Sequence, residues 1–165
     1  MIELPEAATL AKQLNDTVLH KKIIRVTAGY TEHKLTWYYG KKENCDKQMK
    51  GREITGAQNH GGLVEISTED MRILFGYGVN LRYLASENEV PAKHQLLIRF
   101  SDDMLLCASV QTYGGLGCFK AGELENEYYQ VAREKPSLLS DEFTKAYFRT
   151  ITEGDKAQKL SAKGL

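Results

Sequence analysis

The clearest signal for the fold lies in residues 63–84, which read LVEISTEDMRILFGYGVNLRYL. This stretch contains three short runs rich in β-branched and aromatic residues, at 63–67, 72–78 and 80–84. Acidic turn residues separate the first two runs, and glycines interrupt the second. Working outward in both directions, similar runs occur at 22–30, 33–39, 52–58, 94–100, 105–110 and 115–120. Eight or nine short strands at this spacing predict a mainly β fold, an antiparallel sandwich or barrel.

Helical patterns are confined to the two ends of the chain. A helix is predicted from Leu4 to about Leu19, because Pro5 suits a first helical turn and apolar residues then recur every three or four positions. No strand–helix–strand alternation follows, which argues against a doubly wound nucleotide-binding enzyme.

After Pro136 the residue pattern changes from strand-like to helical. Ser140 is a candidate N-cap for a helix reaching Ile151, and a second short helix is predicted from Asp155. We therefore expect a β-sandwich domain at 1–135 and, at 136–165, the first part of a helical module that continues beyond this chain.

Composition excludes several classes of protein. The 165 residues are 42% hydrophobic and 27% charged, which fits a domain with a buried core rather than a disordered chain. No apolar run reaches the ~18 residues that cross a bilayer, and the N-terminus lacks the basic region of a signal peptide. The three cysteines have neither paired spacing nor a histidine at ligand spacing, which predicts a reduced, cytoplasmic chain without a zinc site.

Charge is balanced overall but segregated along the chain. Lysine and arginine number 22, as do aspartate and glutamate, yet residues 20–52 carry an excess of six positive charges and residues 121–134 are acidic. A basic face of this kind can bind a polyanion such as DNA. The same pattern is common on ordinary solvated surfaces, so composition leaves both interpretations open.

Two local features could carry chemistry. Glu3 and Glu6 lie close to the N-terminal α-amine, a nucleophile that could form a Schiff base while the carboxylates move protons. Lys93-His94 follows a proline turn and could hold a phosphate. A frayed chain end and a solvent-exposed turn are the simpler interpretations, and the pattern alone leaves them open. The glycine-rich segments at 76–78 and 114–117 lack a following helix, so they predict tight turns or bulges.

Several segments together resemble the formamidopyrimidine-DNA glycosylase and endonuclease VIII family. The start, MIELPEAATLAKQL, is similar to the family's opening Met-Pro-Glu-Leu-Pro-Glu, and the pair Lys93-His94 lies in the family-like segment PAKHQLLIRFSDD. Further similar segments are KKIIRV, KGREITGA, NHGG, LFGYGVNLRY, ASVQTYGG and SDEFTKAYF. The resemblance covers about residues 1–151.

The resemblance implies a two-layer antiparallel β-sandwich with flanking helices, an α+β class, followed by the start of a truncated helix-two-turn-helix domain. The family's zinc finger would lie beyond residue 165, so no cofactor or metal is expected in this chain. Family members extrude a damaged nucleotide from duplex DNA and attack its C1′ with an N-terminal proline amine, releasing the sugar through a Schiff base. The expected partner is therefore double-stranded damaged DNA rather than a membrane.

The resemblance assigns family roles to individual residues of this sequence. Glu3 and Glu6 are assigned to catalysis, Tyr77 falls on the family's void-filling methionine, and Thr112-Tyr113 lie near its intercalating Arg-Phe pair. The residues expected to contact DNA are Lys93, His94, Tyr77, Thr112, Tyr113 and His60.

The departures from the family bear on activity. Ile2 stands where the family has its nucleophilic proline, and a bulky second residue disfavours removal of Met1. Gly62 stands where the family has its catalytic lysine. We therefore expect a DNA-repair protein that recognises damage rather than cuts at it. The alternative is a β-sandwich interaction module that has lost DNA binding, which the zero net charge favours; no pattern predicts the oligomeric state.

Overall fold

The structure, a computed structural model, describes residues 2–152. The predicted second short helix from Asp155 lies outside these residues. The chain divides into two compact units, the first ending at Glu125 and the second beginning at Asn126. This division lies upstream of the expected boundary between 135 and 136, and the assignment of domains stays a prediction.

Seven strands and four α-helices are found among the described residues. The strands are β1 (Ile23–Ala28), β2 (Thr36–Tyr39), β3 (Gly56–His60), β4 (Leu63–Ser67), β5 (Met71–Leu84), β6 (Leu96–Phe100) and β7 (Leu105–Lys120). The helices are α1 (Leu4–Val18), α2 (Cys45–Met49), α3 (Glu127–Glu134) and α4 (Lys145–Thr152). The strands follow the order β1-β6-β7-β5-β4-β3, and β2 pairs with β7.

The two longest strands each join two runs that the sequence predicts as separate strands. β5 has 14 residues and contains the runs 72–78 and 80–84. β7 has 16 residues and contains the runs 105–110 and 115–120. The prediction of two separate strands in each case is wrong, because the β5–β7 ladder continues through a bulge, formed by Gly78 of β5 and residues 111–113 of β7, rather than ending in a turn.

Each long strand contributes one half to each of two layers. The second half of β5 pairs with the first half of β7, which also pairs with β6, and β6 pairs with β1. The first half of β5 pairs with β4 and with the second half of β7. The predicted two-layer β-sandwich is confirmed. One pair, β2 with β7, is parallel and departs from the all-antiparallel expectation.

Helix α1 packs on the sandwich as its sequence predicts. Glu3 is its N-cap, Pro5 lies in the first turn, and Glu6 completes a capping box. Asn15 ties the helix to β3, because its side-chain oxygen accepts from the Ala57 amide at 2.8 Å and its side-chain nitrogen donates to the Ala57 carbonyl at 2.8 Å. The residues of α1 that are buried share one face: Ala7, Ala11, Leu14 and Val18.

The remaining helices differ from the sequence prediction. α2 and α3 were not predicted; α2 has five residues, too few to show a helical period. α4 begins after Thr144, whose hydroxyl oxygen accepts from the Tyr147 amide at 3.1 Å. The predicted N-cap, Ser140, instead donates its hydroxyl to the Ser137 carbonyl at 2.8 Å, so its placement as the N-cap was wrong.

The core lies between the layers and under α1. Its largest fully buried side chains include Phe75, Phe100, Ile73 and Ile98. The three cysteines, Cys45, Cys107 and Cys118, are buried and free. None of the helices within residues 2–152 is long and apolar enough to cross a bilayer.

Candidate nucleic-acid interface

Three aromatic side chains gather on the surface where the two long strands meet β2. The Trp37 ring lies 5.1 Å from Tyr77 in an edge arrangement and 6.4 Å from Tyr113 in a stacked one, centroid to centroid. Tyr77 and Tyr113 are 6.0 Å apart. Trp37 is 38% exposed and Tyr113 is 41% exposed. We call these three residues the aromatic cluster.

A bulge in the β5–β7 ladder positions the two tyrosines. The register runs from the pair Tyr77–Gly114 to the pair Val79–Val110, so one residue of β5 faces three of β7. Those three residues of β7, 111–113, are all exposed, and they carry Tyr113 outward. Tyr77 has a φ of 63°, a left-handed conformation that costs energy in a non-glycine residue and clusters at functional sites.

Glycine at position 115 allows the tryptophan to approach the sheet. Gly115 of β7 pairs with Trp37 of β2. A Cβ atom at this position would overlap the Trp37 indole and lie 2.7 Å from the Tyr39 hydroxyl. The close seat of the indole on β7 therefore depends on the absence of a side chain at residue 115.

A groove adjoins the aromatic cluster at the start of α1. Its volume is about 570 Å³, and it lies between α1 and the second half of β5. The Ile2 amide donates to the Tyr77 carbonyl at 2.5 Å, so the beginning of the chain and the aromatic cluster are joined directly. We call this space the N-terminal groove. The polar residues that line it are Glu6, Thr9, Gln13, Asn80, Gln111 and Thr112.

The predicted catalytic carboxylates lie at the start of α1. Glu3 and Glu6 are both exposed. The Glu6 carboxylate accepts from the Glu3 amide at 3.0 Å, and the Glu3 carboxylate accepts from the Glu6 amide. Both carboxylates therefore stabilise the first turn of α1, where the helix dipole favours negative charge. Of this pair, only Glu6 lines the groove.

His60 lies at the end of β3, and the register connects it to the aromatic cluster. His60 pairs with Leu63, Leu63 with Gly76, and Gly76 with Gly115, so these residues form one row on one face of the sheet. The His60 Nε2 atom is 3.6 Å from the carboxylate of Glu65. Trp37 lies over the other end of this row.

Glu65 also contacts Arg72 on the same face of the sheet. Its carboxylate is 3.2 Å from the Arg72 Nε atom and accepts from the Ser67 hydroxyl at 3.1 Å. Gly62, which the sequence resemblance aligns with the family's lysine, lies in the hairpin between β3 and β4 and has no side-chain amine.

Lys93 and His94 lie in the loop that enters β6. Lys93 is exposed, whereas His94 is only 4% exposed. The His94 Nδ1 atom is 2.8 Å from the Pro91 carbonyl, and its ring stacks against Tyr30. A carbonyl can only accept, so Nδ1 carries the proton. In the neutral ring Nε2 is then an acceptor, and only an imidazolium could donate to a phosphate from that atom.

Two buried thiols contact each other, one at the start of α2 and the other in the second half of β7. The hydrogen bond between Cys45 and Cys118 lowers the pKa of Cys45, while the same bond together with burial raises the pKa of Cys118. Burial also raises the pKa of Cys107. Within residues 2–152, no group of three His, Cys, Asp or Glu side chains is arranged to hold a metal ion.

Comparison with known proteins shows to which family the chain belongs. The model of the formamidopyrimidine-DNA glycosylase N-terminal domain matches residues 1–113. The formamidopyrimidine-DNA glycosylase of Lactococcus lactis subsp. lactis (strain IL1403) is 31% identical over 167 residues, which cover 99% of this chain and 57% of that protein. The chain belongs to the formamidopyrimidine-DNA glycosylase family. The sequence resemblance to this family is confirmed.

Other members of the formamidopyrimidine-DNA glycosylase family agree with this result. The protein from Lactococcus lactis subsp. cremoris is 30% identical over 118 residues, 69% of this chain and 41% of the relative. The chain thus spans about half the length of the curated relatives it matches.

Solved structures of the family share the fold. MutM in complex with DNA containing carbocyclic 8-oxo-G has a TM-score of 0.61 and 23% identity, over 72% of this chain and 45% of that one. The Lactococcus lactis enzyme in complex with DNA containing FAPY-dG has a TM-score of 0.61 and 22% identity, over 72% and 44%.

The structure brings some of the predicted site residues together and places others elsewhere. Tyr77, Tyr113 and Thr112 meet at the bulge beside the N-terminal groove. Trp37 was not predicted as a site residue. The single tryptophan of the chain, in a short strand followed by two tyrosines, is the one signal that could have pointed to it.

Proposed function

We propose that this chain is the damage-reading domain of a DNA-repair protein, and that it recognises a damaged site in duplex DNA without cutting it. The observation that carries the proposal is the aromatic cluster, exposed on a bulge of two paired strands and joined through Tyr77 to the N-terminal groove. Aromatic side chains can enter the space that an extruded nucleotide leaves in the duplex and stack on the remaining bases.

The N-terminal groove is a suitable binding site for the extruded nucleotide. Its volume of about 570 Å³ lies within the range of about 300–1,000 Å³ usual for small-ligand sites. Amide and carboxylate groups of Glu6, Gln13, Asn80 and Gln111 line it, and such groups can pair with the polar edge of a base.

Two features support recognition without cleavage. Ile2 occupies the position of the family's proline, and its amide is engaged by the Tyr77 carbonyl. Gly62 supplies no ammonium at the β3–β4 hairpin. An amine that attacks C1′ and a cation that stabilises the developing charge are both needed for the family's chemistry.

The test combines equilibrium binding with borohydride trapping on two duplexes, one carrying an abasic site and one undamaged. We expect tighter binding to the damaged duplex and no covalent adduct. Tyr113→Ala should weaken damage binding by about 5- to 150-fold, since base–aromatic stacking contributes about 1–3 kcal/mol per base. Ile24→Ala is the matched control, because Ile24 is also 41% exposed but lies on β1.

Each other outcome has a definite meaning. A trapped adduct would show that an amine still performs the family's reaction, and intact-mass measurement would then show whether Met1 has been removed. Absence of binding to either duplex would refute the proposal. It would favour the second candidate, an interaction module that has lost DNA, which the net charge of zero supports.

A further inference from the structure

A second exposed aromatic ring lies apart from the aromatic cluster. Tyr30, in the turn after β1, is 64% exposed, the most of any exposed large apolar or aromatic side chain in the part of the chain that the structure describes. Its ring lies 4.4 Å from the His94 ring, centroid to centroid, with an angle of 8° between the planes. His94 therefore covers one face of the tyrosine.

Hydrogen bonds on both sides of Tyr30 connect its turn to the loop that leads into β6. The Gly29 amide donates to the Gln95 carbonyl at 2.7 Å, and the Thr31 amide donates to the His94 carbonyl at 3.0 Å. The Gln95 side chain donates in addition to the Thr31 carbonyl at 3.2 Å. A ring ordered in advance loses little conformational entropy when a ligand stacks on it.

Two lysines belong to the segments that form this turn and its neighbourhood. Lys93 precedes His94 in sequence and is exposed. The Lys42 side chain lies over Gly29, where a Cβ atom would be 3.0 Å from its Cδ and 3.3 Å from its Nζ. The Lys42 ammonium is also held 5.3 Å from the centre of the Tyr38 ring. An exposed aromatic ring in a turn with lysines near it is a combination that can bind a nucleic-acid strand, with the ring stacking on a base and the lysines contacting phosphates.

We propose that Tyr30 is a stacking platform for an unpaired nucleobase of a DNA strand whose phosphates are bound by Lys93 and Lys42. A base within an intact duplex has both faces covered by its neighbours, so the free face of Tyr30 fits a base that has left the stack. This inference rests on the proposed function in so far as the partner is DNA. It goes beyond that function because it assigns a base to a surface outside the aromatic cluster.

The experiment separates stacking from phosphate binding. Two labelled single strands about eight nucleotides long are compared by fluorescence anisotropy at low salt, one of thymidines and one of tetrahydrofuran abasic units with the same phosphates. Tyr30→Ala should weaken binding of the thymidine strand by about 5- to 150-fold and leave binding of the abasic strand unchanged. Tyr30→Phe keeps the ring and should bind both strands like the unaltered protein.

Two controls accompany these variants. Leu35→Ala removes an apolar side chain that is also strongly exposed, from the same loop, and should change neither affinity. Lys93→Ala should weaken both strands equally and reduce the slope of log affinity against log salt by roughly 0.7. Thermal unfolding of each variant, followed by circular dichroism, checks that the fold is retained.

Three results would overturn the inference. Equal weakening of both strands by Tyr30→Ala would assign the ring a structural role through His94. If Tyr30→Ala binds the thymidine strand as tightly as the unaltered protein does, Tyr30 is not a stacking platform. The proposal that the chain recognises damaged DNA would be unaffected. If the unaltered protein binds neither single strand, the inference about Tyr30 is refuted. Binding to the abasic duplex then tests separately whether the chain recognises damaged DNA.

Discussion

Replacement of Gly115 by alanine tests the physical basis of the aromatic cluster. The added methyl group would overlap the Trp37 indole and lie 2.7 Å from the Tyr39 hydroxyl, so the indole must move. Overpacking of this kind costs about 1–3 kcal/mol, whereas replacing glycine by alanine stabilises by about 0.4–1 kcal/mol through the unfolded chain. We expect Gly115→Ala to lower the free energy of unfolding by about 1–2 kcal/mol.

The assay is denaturant unfolding followed by circular dichroism, together with tryptophan emission. Trp37 is the only tryptophan in the chain, so a change in its emission reports directly on displacement of this ring. Gly56→Ala is the matched control, because Gly56 is also a strand glycine and a Cβ atom there would meet only Asn15, at 3.8 Å. We expect that control to be as stable as the unaltered protein or slightly more stable.

The same variant connects the fold to the proposed function. If Trp37 supports the two tyrosines, its displacement should weaken binding to the abasic duplex by about tenfold while Gly56→Ala leaves binding unchanged. Gly115→Ala with full stability, unchanged emission and unchanged binding would refute the argument that residue 115 seats the indole.

Three further predictions concern the stability of the domain. Asn15→Ala removes both side-chain hydrogen bonds to the Ala57 backbone and should lower the free energy of unfolding by about 1–3 kcal/mol, measured by denaturant titration, whereas Asn15→Asp should retain the bond from the Ala57 amide. The Lys21–Asp102 ion pair lowers the pKa of Asp102, so its contribution is present above the unfolded value of 3.8 and lost as the pH falls below it. Asp102→Asn should therefore cost up to about 1 kcal/mol at neutral pH and nothing at strongly acidic pH, and a constant difference across that range would contradict the assignment. The three buried cysteines should resist alkylation in the native protein and react once it is unfolded, as mass spectrometry would show.

The sequence predicts the type of the fold better than the extent of its strands. Alternating apolar residues identify nearly every strand, because one face of each strand must be buried. The glycines around Tyr77 and Gly114 suggest breaks, since glycine is common in turns. In the structure Gly78 lies in a bulge and Gly76, Gly114 and Gly115 are paired beside it, where glycine allows neighbouring strands to approach closely without ending the ladder. Residue patterns along one strand cannot distinguish these cases, because the partner strand decides between them.

Only those residues of the candidate site that lie in segments resembling the family could be predicted from the sequence. Tyr77 and Tyr113 were found through positions of known family roles, and the structure brings them together. Trp37 joins them through a parallel pairing of β2 with β7, a contact between residues far apart in the sequence. The Tyr30–His94 stack is equally distant in the chain. Neither contact follows from local periodicity.

The position of the aromatic cluster has a mechanical consequence. It lies where β5 and β7 pass from one layer of the sandwich to the other, so its backbone is fixed by ladders on both sides of the bulge. A side chain that enters a duplex must resist the restacking of the bases, and a ring on a mobile loop would yield to that force. The left-handed Tyr77 and the side-chain-free Gly115 both cost stability in a strand, and the surrounding ladders offset that cost. A domain that only needed to pack its core would gain stability by losing the left-handed conformation of Tyr77, so its presence at an exposed point argues that this point contacts a partner.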